Sequence, residues 1–143
     1  MERELTGRPL VAGRAEGVAL VSRQALSLWG GLSPATGEII DQRHDRAGAV
    51  VAGRVFVFPT GKGSSTSSAV LLECIRTGTA PAAIINRAVD PILALGAIVA
   101  DELYRRSVPI VVLPEESFAA IADGDAVAIE PDGTVRVRGH EGG

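Results

Sequence analysis

Cysteine, histidine and aromatic residues are scarce in this 143-residue sequence. A single cysteine, Cys74, excludes an internal disulfide, and with His44 and His140 far apart the chain has no ligand set of its own for zinc or an iron-sulfur cluster. At 3% aromatic content there is little material for a stacking surface, so the core must come from Val, Ile, Leu and Ala. No apolar run approaches a bilayer-spanning length, and "MERELTGRPL" is charged from its second residue, which argues against a membrane span or a signal peptide and for a cytoplasmic location. A basic stripe is missing too. Fourteen Lys and Arg are scattered among seventeen Asp and Glu for a net charge of −3, so nucleic acid is not an expected partner.

The sequence does contain 46% hydrophobic residues, enough for the core of one domain. We expect a single domain over residues 1–143, its core about 7–138 and a frayed tail at 139–143. "PLVA" and "GVALVS" read as two strands joined by a turn. Residues 26–53 hold the only Trp, a Gly-Gly pair and no sustained periodicity, which reads as a long ordered loop with a brief strand at "GEII". From Arg54 the pattern alternates: strand "RVFVFP", helix "SAVLLECIRT" stopped by Gly78, strand "AAIIN", a helix capped by Asp90 with Pro91 at its first position, and strand "VPIVVL". On that second helix Ile92, Leu95, Ile98, Val99 and Leu103 form one apolar stripe. A short turn "PEESFAAI" and a hairpin around "PDG" complete the chain. The expected class is α/β, with central parallel strands joined by crossover helices and antiparallel hairpins on both sides.

Between the first central strand and its helix stands "GKGSSTSS", Gly61 to Ser68. A strand-to-helix turn presents unpaired N–H groups and the positive end of the helix dipole, which attract anions. Gly61 and Gly63 allow close backbone approach, Lys62 adds a cation, and Ser64, Ser65 and Thr66 add hydroxyls. The order differs from the nucleotide-binding P-loop, since the lysine precedes the serines. Helix capping is the simpler reading, but it accounts for one hydroxyl rather than five. Elsewhere, Trp29 is either a packed ring or, with Gly30 and Gly31, a lid or subunit contact. Cys74 reads as an inert core residue. His44 and Asp45 are adjacent, but no nucleophile is placed beside them by spacing.

"GRAEGVALVS", "LSLWGGLSPATGEIID", "GKGSSTSS", "GTAPAAII" and "DPILALGAIVADELY", in that order, resemble the small subunit or swivel domain of the aconitase X family of dehydratases. The resemblance implies a swivelling β/β/α fold and a large partner subunit that carries the iron-sulfur cluster, with no cofactor bound by this chain. It implies hydro-lyase chemistry on a small hydroxy acid, cis-3-hydroxy-L-proline or 5-phosphomevalonate. The former is favoured because no dedicated second phosphate site is evident. It also makes Ser64 the base, with Gly61, Lys62, Gly63, Ser65 and Thr66 around the substrate and Trp29, Gly30 and Gly31 at the subunit junction. Aconitase proper has an arginine after its two serines where this chain has Thr66. That leaves the contact to the substrate carboxylate open, with the large subunit as one source. Two other classes of function remain: a stand-alone anion-binding module, and a structural subunit in which the serines are only caps.

Overall fold

The computed structural model describes residues 2–139; of the expected tail at 139–143, all but Gly139 lies outside the described residues. Its centre is the strand-helix alternation read from the sequence. Strands β4 (Val55–Val57), β5 (Ala83–Asn86) and β6 (Ile110–Val112) pair in parallel through helices α2 (Ser67–Thr77) and α3 (Pro91–Tyr104). Both faces of these strands are buried, which is why they read as unbroken apolar runs. Val55, Val57, Ala83, Ile85, Val111 and Leu113 face one cluster, while Phe56, Phe58 and Ile84 face another with Leu71, Cys74 and Ala97 of the helices. Successive strand residues point to opposite faces, so one short strand builds two cores.

The remaining strands are β1 (Glu2–Thr6), β2 (Arg8–Val11), β3 (Ala15–Val21), β7 (Ala126–Ile129) and β8 (Thr134–Arg138), with a short helix α4 (Glu115–Ala119) before β7. The strand order is β1-β8-β7-β3-β4-β5-β6-β2. β1 and β2 are separated only by Gly7 yet stand at opposite ends of that order, so the sheet curls until its ends are one residue apart. The result is two β layers enclosing the second cluster and one helical layer over the first, the expected β/β/α arrangement.

The hairpin around Gly133 is present, as β7 and β8. The N-terminal hairpin is not: β2 pairs antiparallel with β6, and β3 runs parallel to β4 and antiparallel to β7. Ala19 and Leu20 are fully buried on opposite faces, as befits a central strand rather than one arm of a marginal hairpin. Because β3 and β4 are parallel, the chain between them must cross over the sheet, and residues 22–54 serve as that connection in place of a helix. Leu26, Leu28, Leu32, Ile39 and Val51 from this loop are at most 3% exposed, in the same cluster as Phe56 and Phe58. The "GEII" segment supplies isolated bridges, Leu32 to Ile39 and Glu38 to Val50.

Helix α3 corrects the expected stripe. Its caps agree with the sequence: Asp90 Oδ1 accepts the N–H groups of Ile92 at 3.0 Å and Leu93 at 3.3 Å, with Pro91 next. Yet the buried residues are Leu93, Gly96, Ala97 and Ala100, while Leu95, Ile98 and Leu103 are exposed. The reason is the distance to α2. A Cβ on Gly96 would sit 2.6 Å from the Ser68 carbonyl oxygen, so only small side chains fit the contact and the large ones turn outward. Among the described residues no helix is long and apolar enough to cross a membrane.

Candidate functional site

The turn between β4 and α2 is shaped by two glycines with different constraints. Gly63 has φ +84°, a left-handed conformation that other residues adopt at a cost. A Cβ on Gly61 would collide with Asp90 Oδ2, so its small size lets the turn lie against the start of α3. The two helix N-termini consequently flank one cavity of about 180 Å³, lined by Gly61, Lys62, Gly63, Ser64, Ser67 and Asp90 among others.

The five hydroxyls have separate fates. Ser64 Oγ accepts the Thr66 N–H at 3.0 Å, so Ser64 is the side chain that caps this turn, and it is half-buried at the cavity wall. Ser68 Oγ donates to the Ser65 carbonyl, and buried Ser67 Oγ accepts the Trp29 N–H at 3.3 Å. Ser65 and Thr66 are exposed and do not line the cavity. Three successive backbone N–H groups, of Gly63, Ser64 and Ser65, have no protein acceptor among the described residues. Nor does any described group accept the Ser64 hydroxyl proton. Such a run of open amides around a left-handed glycine favours negative charge at its centre.

"LWGG" is a tight turn more than a helix. In α1 (Leu28–Gly31), Trp29 (φ −69°, ψ 116°) and Gly30 (φ 79°, ψ −11°) have the angles of a type II turn, which requires glycine at its second central position. Leu26 and Lys62 anchor this turn to the serine loop, since Leu26 N donates to the Thr60 carbonyl and Lys62 N to that of Leu26. Gly31 is buried against Leu26, and Trp29 is 59% exposed, so its indole is not a core ring. Trp29 and Val89, both exposed, stand beside the Ser64 cavity: Trp29 through its bond to Ser67, Val89 in the cavity wall.

Lys62 also lines a second, open groove of about 840 Å³ with Gln24, Asp41, Arg43 and His44. Beneath it is a cluster that spacing did not reveal. Ser22, fully buried, donates to Asp45 Oδ1 at 2.7 Å and lies 3.1 Å from His44 Nε2. The composition matches a hydrolytic triad but the bonding does not. His44 Nδ1 accepts the Arg46 N–H at 3.1 Å, so its proton sits on Nε2, directed at Ser22 Oγ and the Gln24 carbonyl. A histidine that donates to serine cannot act as its base, and the cluster is a structural clamp on residues 41–46.

Burial works to raise the pKa of Asp45, but bonds from the Arg23 N–H and the Ser22 hydroxyl, together with the positive charge of Arg46, hold it below the usual carboxylate range. A folded-state pKa below the unfolded one contributes stability above the unfolded value, and that contribution is lost as pH falls through the lowered one. Asp45→Asn is therefore expected to melt below the wild type at neutral pH, with the gap narrowing once the pH passes below about 4. Paired thermal melts across that range check it, and a gap that does not narrow contradicts the assignment.

Among the described residues no three His, Cys, Asp or Glu side chains converge as metal ligands, and burial pushes the Cys74 thiol up from its ordinary pKa. An iron-sulfur cluster does not fit this donor set. Of the expected site residues, the structure joins Gly61, Lys62, Gly63 and Ser64, leaves Ser65 and Thr66 outside, and places Trp29, Gly30 and Gly31 beside them. Sequence reading missed Asp90, anticipated only as a cap, and Ser67. The spacing of "GKG" to "NRAVDP" gives no hint that the two helix starts meet.

The sequence and the backbone both have counterparts among known proteins. The family model described as the aconitase X swivel domain matches residues 4–137. Cis-3-hydroxy-L-proline dehydratase from Pseudomonas aeruginosa is 49% identical over 82% of this chain, which spans only 21% of that longer enzyme. The phosphomevalonate dehydratase small subunit of Methanocella arvoryzae is 40% identical, over 94% of this chain and 96% of its own length. In a crystal structure of aconitase X from Thermococcus kodakaraensis, a chain 37% identical superposes with a TM-score of 0.86, covering 96% of this chain and 99% of that one. With a family match across nearly all described residues, a relative 40% identical along 96% of its length and one shared backbone, the chain belongs to the aconitase X swivel domain family.

Proposed function

We propose that this chain is the small subunit of a two-subunit dehydratase that removes water from a small hydroxy acid, with Ser64 as the base that takes the proton from carbon. The relatives are named as dehydratases of cis-3-hydroxy-L-proline and of phosphomevalonate, and these are the two candidate substrates. The observation that carries the reading is Ser64 Oγ: half-buried at a cavity between two helix starts, bonded to the Thr66 N–H, its own proton unclaimed by the described residues.

A serine hydroxyl is a weak base unless its anion is stabilised. Here the bond that caps the turn is also an N–H aimed at the alkoxide, with the α2 dipole behind it and Lys62 in the cavity wall. Capping and catalysis are thus two uses of the same contact. The ionised Ser64 takes the substrate proton, the C–H electron pair becomes the new double bond, and hydroxide leaves from the neighbouring carbon; that hydroxide takes the proton from Ser64 and departs as water, which restores the alkoxide. An iron-sulfur cluster on the partner would supply the Lewis acid for the departing hydroxide, since among the described residues no set of metal ligands converges.

The open cavity and the exposed Trp29 and Val89 beside it call for a covering partner. The chain alone is expected to be inactive and colourless, with turnover of one of the two substrates appearing when the large subunit is added. Trp29→Ala is expected to weaken the pair by about 2 kcal/mol or more, as for a central interface tryptophan, while the free chain melts as before. Titration of one subunit into the other, monitored by turnover, tests both points. Unchanged assembly by Trp29→Ala removes Trp29 from the junction, and a catalytically competent isolated chain rejects the two-subunit reading.

A further inference from the structure

Most guanidinium groups in this chain are already engaged. Arg14, Arg46, Arg76, Arg87 and Arg136 each meet a carboxylate at 2.6–3.5 Å, and Arg54 and Arg106 donate to backbone carbonyls. Arg43 is different. Its side chain is exposed in the groove it shares with Lys62, and neither cation has an ion pair or a side-chain hydrogen bond among the described residues.

The backbone that carries Arg43 is held on both sides. Asp41 Oδ1 accepts the Arg43 N–H at 3.0 Å, and the Asp41 carbonyl accepts the His44 N–H at 3.0 Å. His44 is buried and bonded to Arg46 N, while Asp45 Oδ2 accepts the Arg23 N–H at 2.9 Å. The Ser22–His44–Asp45 clamp, which has no catalytic use, thereby fixes the root of a guanidinium that has no partner of its own. A fixed backbone reduces the ordering cost of binding, and the planar fork of arginine matches two oxygens of one carboxylate or phosphate. Lys62 lines both this groove and the Ser64 cavity, so the two adjoin at that residue.

We infer that Arg43, together with Lys62, receives an anionic oxygen group of the substrate, carboxylate or phosphate, at the end away from the Ser64 hydroxyl. The inference rests on the dehydratase reading for its substrate, though its binding arm does not.

In the reconstituted pair, Arg43→Ala is expected to raise KM about tenfold to a hundredfold, the range for loss of charge-assisted hydrogen bonds, with the change falling more on KM than on kcat. Arg43→Lys restores part of the loss, since it keeps the charge without the fork. A rise confined to 5-phosphomevalonate identifies the phosphate, and one shared with cis-3-hydroxy-L-proline identifies the carboxylate. KM unchanged within about twofold overturns the assignment. The second arm needs no turnover: titrate inorganic phosphate and acetate into the wild-type chain and follow arginine side-chain Nε–H signals by NMR. Arg43 is expected to respond at lower anion concentration than Arg8 and Arg105, which are exposed cations without ion pairs outside this groove. If all three respond alike, Arg43 is ordinary surface charge and the inference fails. Full activity of Ser64→Ala would sink the base assignment and leave both arms standing.

Discussion

Ser64→Ala is expected to lower kcat of the assembled enzyme by about 10²–10⁴-fold, the range a positioned general base contributes. The change removes one oxygen and leaves Gly63, with its positive φ, and the open amides in place. Its structural cost is the bond to the Thr66 N–H, for which loss of a cap gives about 1 kcal/mol. Activity and stability therefore separate. Steady-state dehydration of both candidate substrates, beside a thermal melt of the free chain, distinguishes a base from a cap. A melt shifted by the cap's worth with turnover near normal would make Ser64 structural only. Ser65→Ala serves as the companion, since its side chain is exposed and outside the cavity, and its effect on kcat is expected to be far smaller.

Gly96→Ala is expected to produce the largest stability loss from the smallest change. The added methyl would lie 2.6 Å from the Ser68 carbonyl oxygen and 3.2 Å from its Cα, both backbone atoms that no rotamer change can move. Overpacking of this kind costs about 1–3 kcal/mol, which for a chain of this size lowers the melting temperature by about 3–10 °C. Ser68 is in the first turn of α2, so relief of the clash displaces the N-terminus that shapes the Ser64 turn. The reconstituted enzyme should accordingly lose activity at temperatures where the variant is still folded. Gly139→Ala, with nothing within 4 Å of its added Cβ, is the control. A melt for Gly96→Ala equal to the control's would mean that α2 and α3 are not in fixed contact.

The serine turn was legible in the sequence because each of its signals is local: an apolar run, two glycines, a hydroxyl cap, a 3.6-residue repeat. The choice of Ser64 among five hydroxyls came from the family resemblance, and the bond to Thr66 was visible only in three dimensions. What stayed hidden depends on distant partners. The first residues read only as charged, with no strand expected there, but β1 pairs with β8 in a register that sets Glu4 opposite Arg136, whose side chains meet at 2.7 Å. Half of that pattern lies more than a hundred residues away. On α3 the periodicity was real, yet it marked the outer face, because close approach to α2 selects glycine and alanine over larger residues. The Ser22–His44 contact spans a long irregular loop that has no repeat to read.

The curled sheet has a consequence for the life of the chain before assembly. Among the described residues its unmated strand margins are the outer sides of β1 and β2, five and four residues long, one studded with Glu and Arg, the other interrupted by Pro9 and a register shift. Short, charged or proline-broken borders give a passing strand nothing to zip onto. On the two-subunit reading, a chain waiting for its partner can do so without templating fibres of itself.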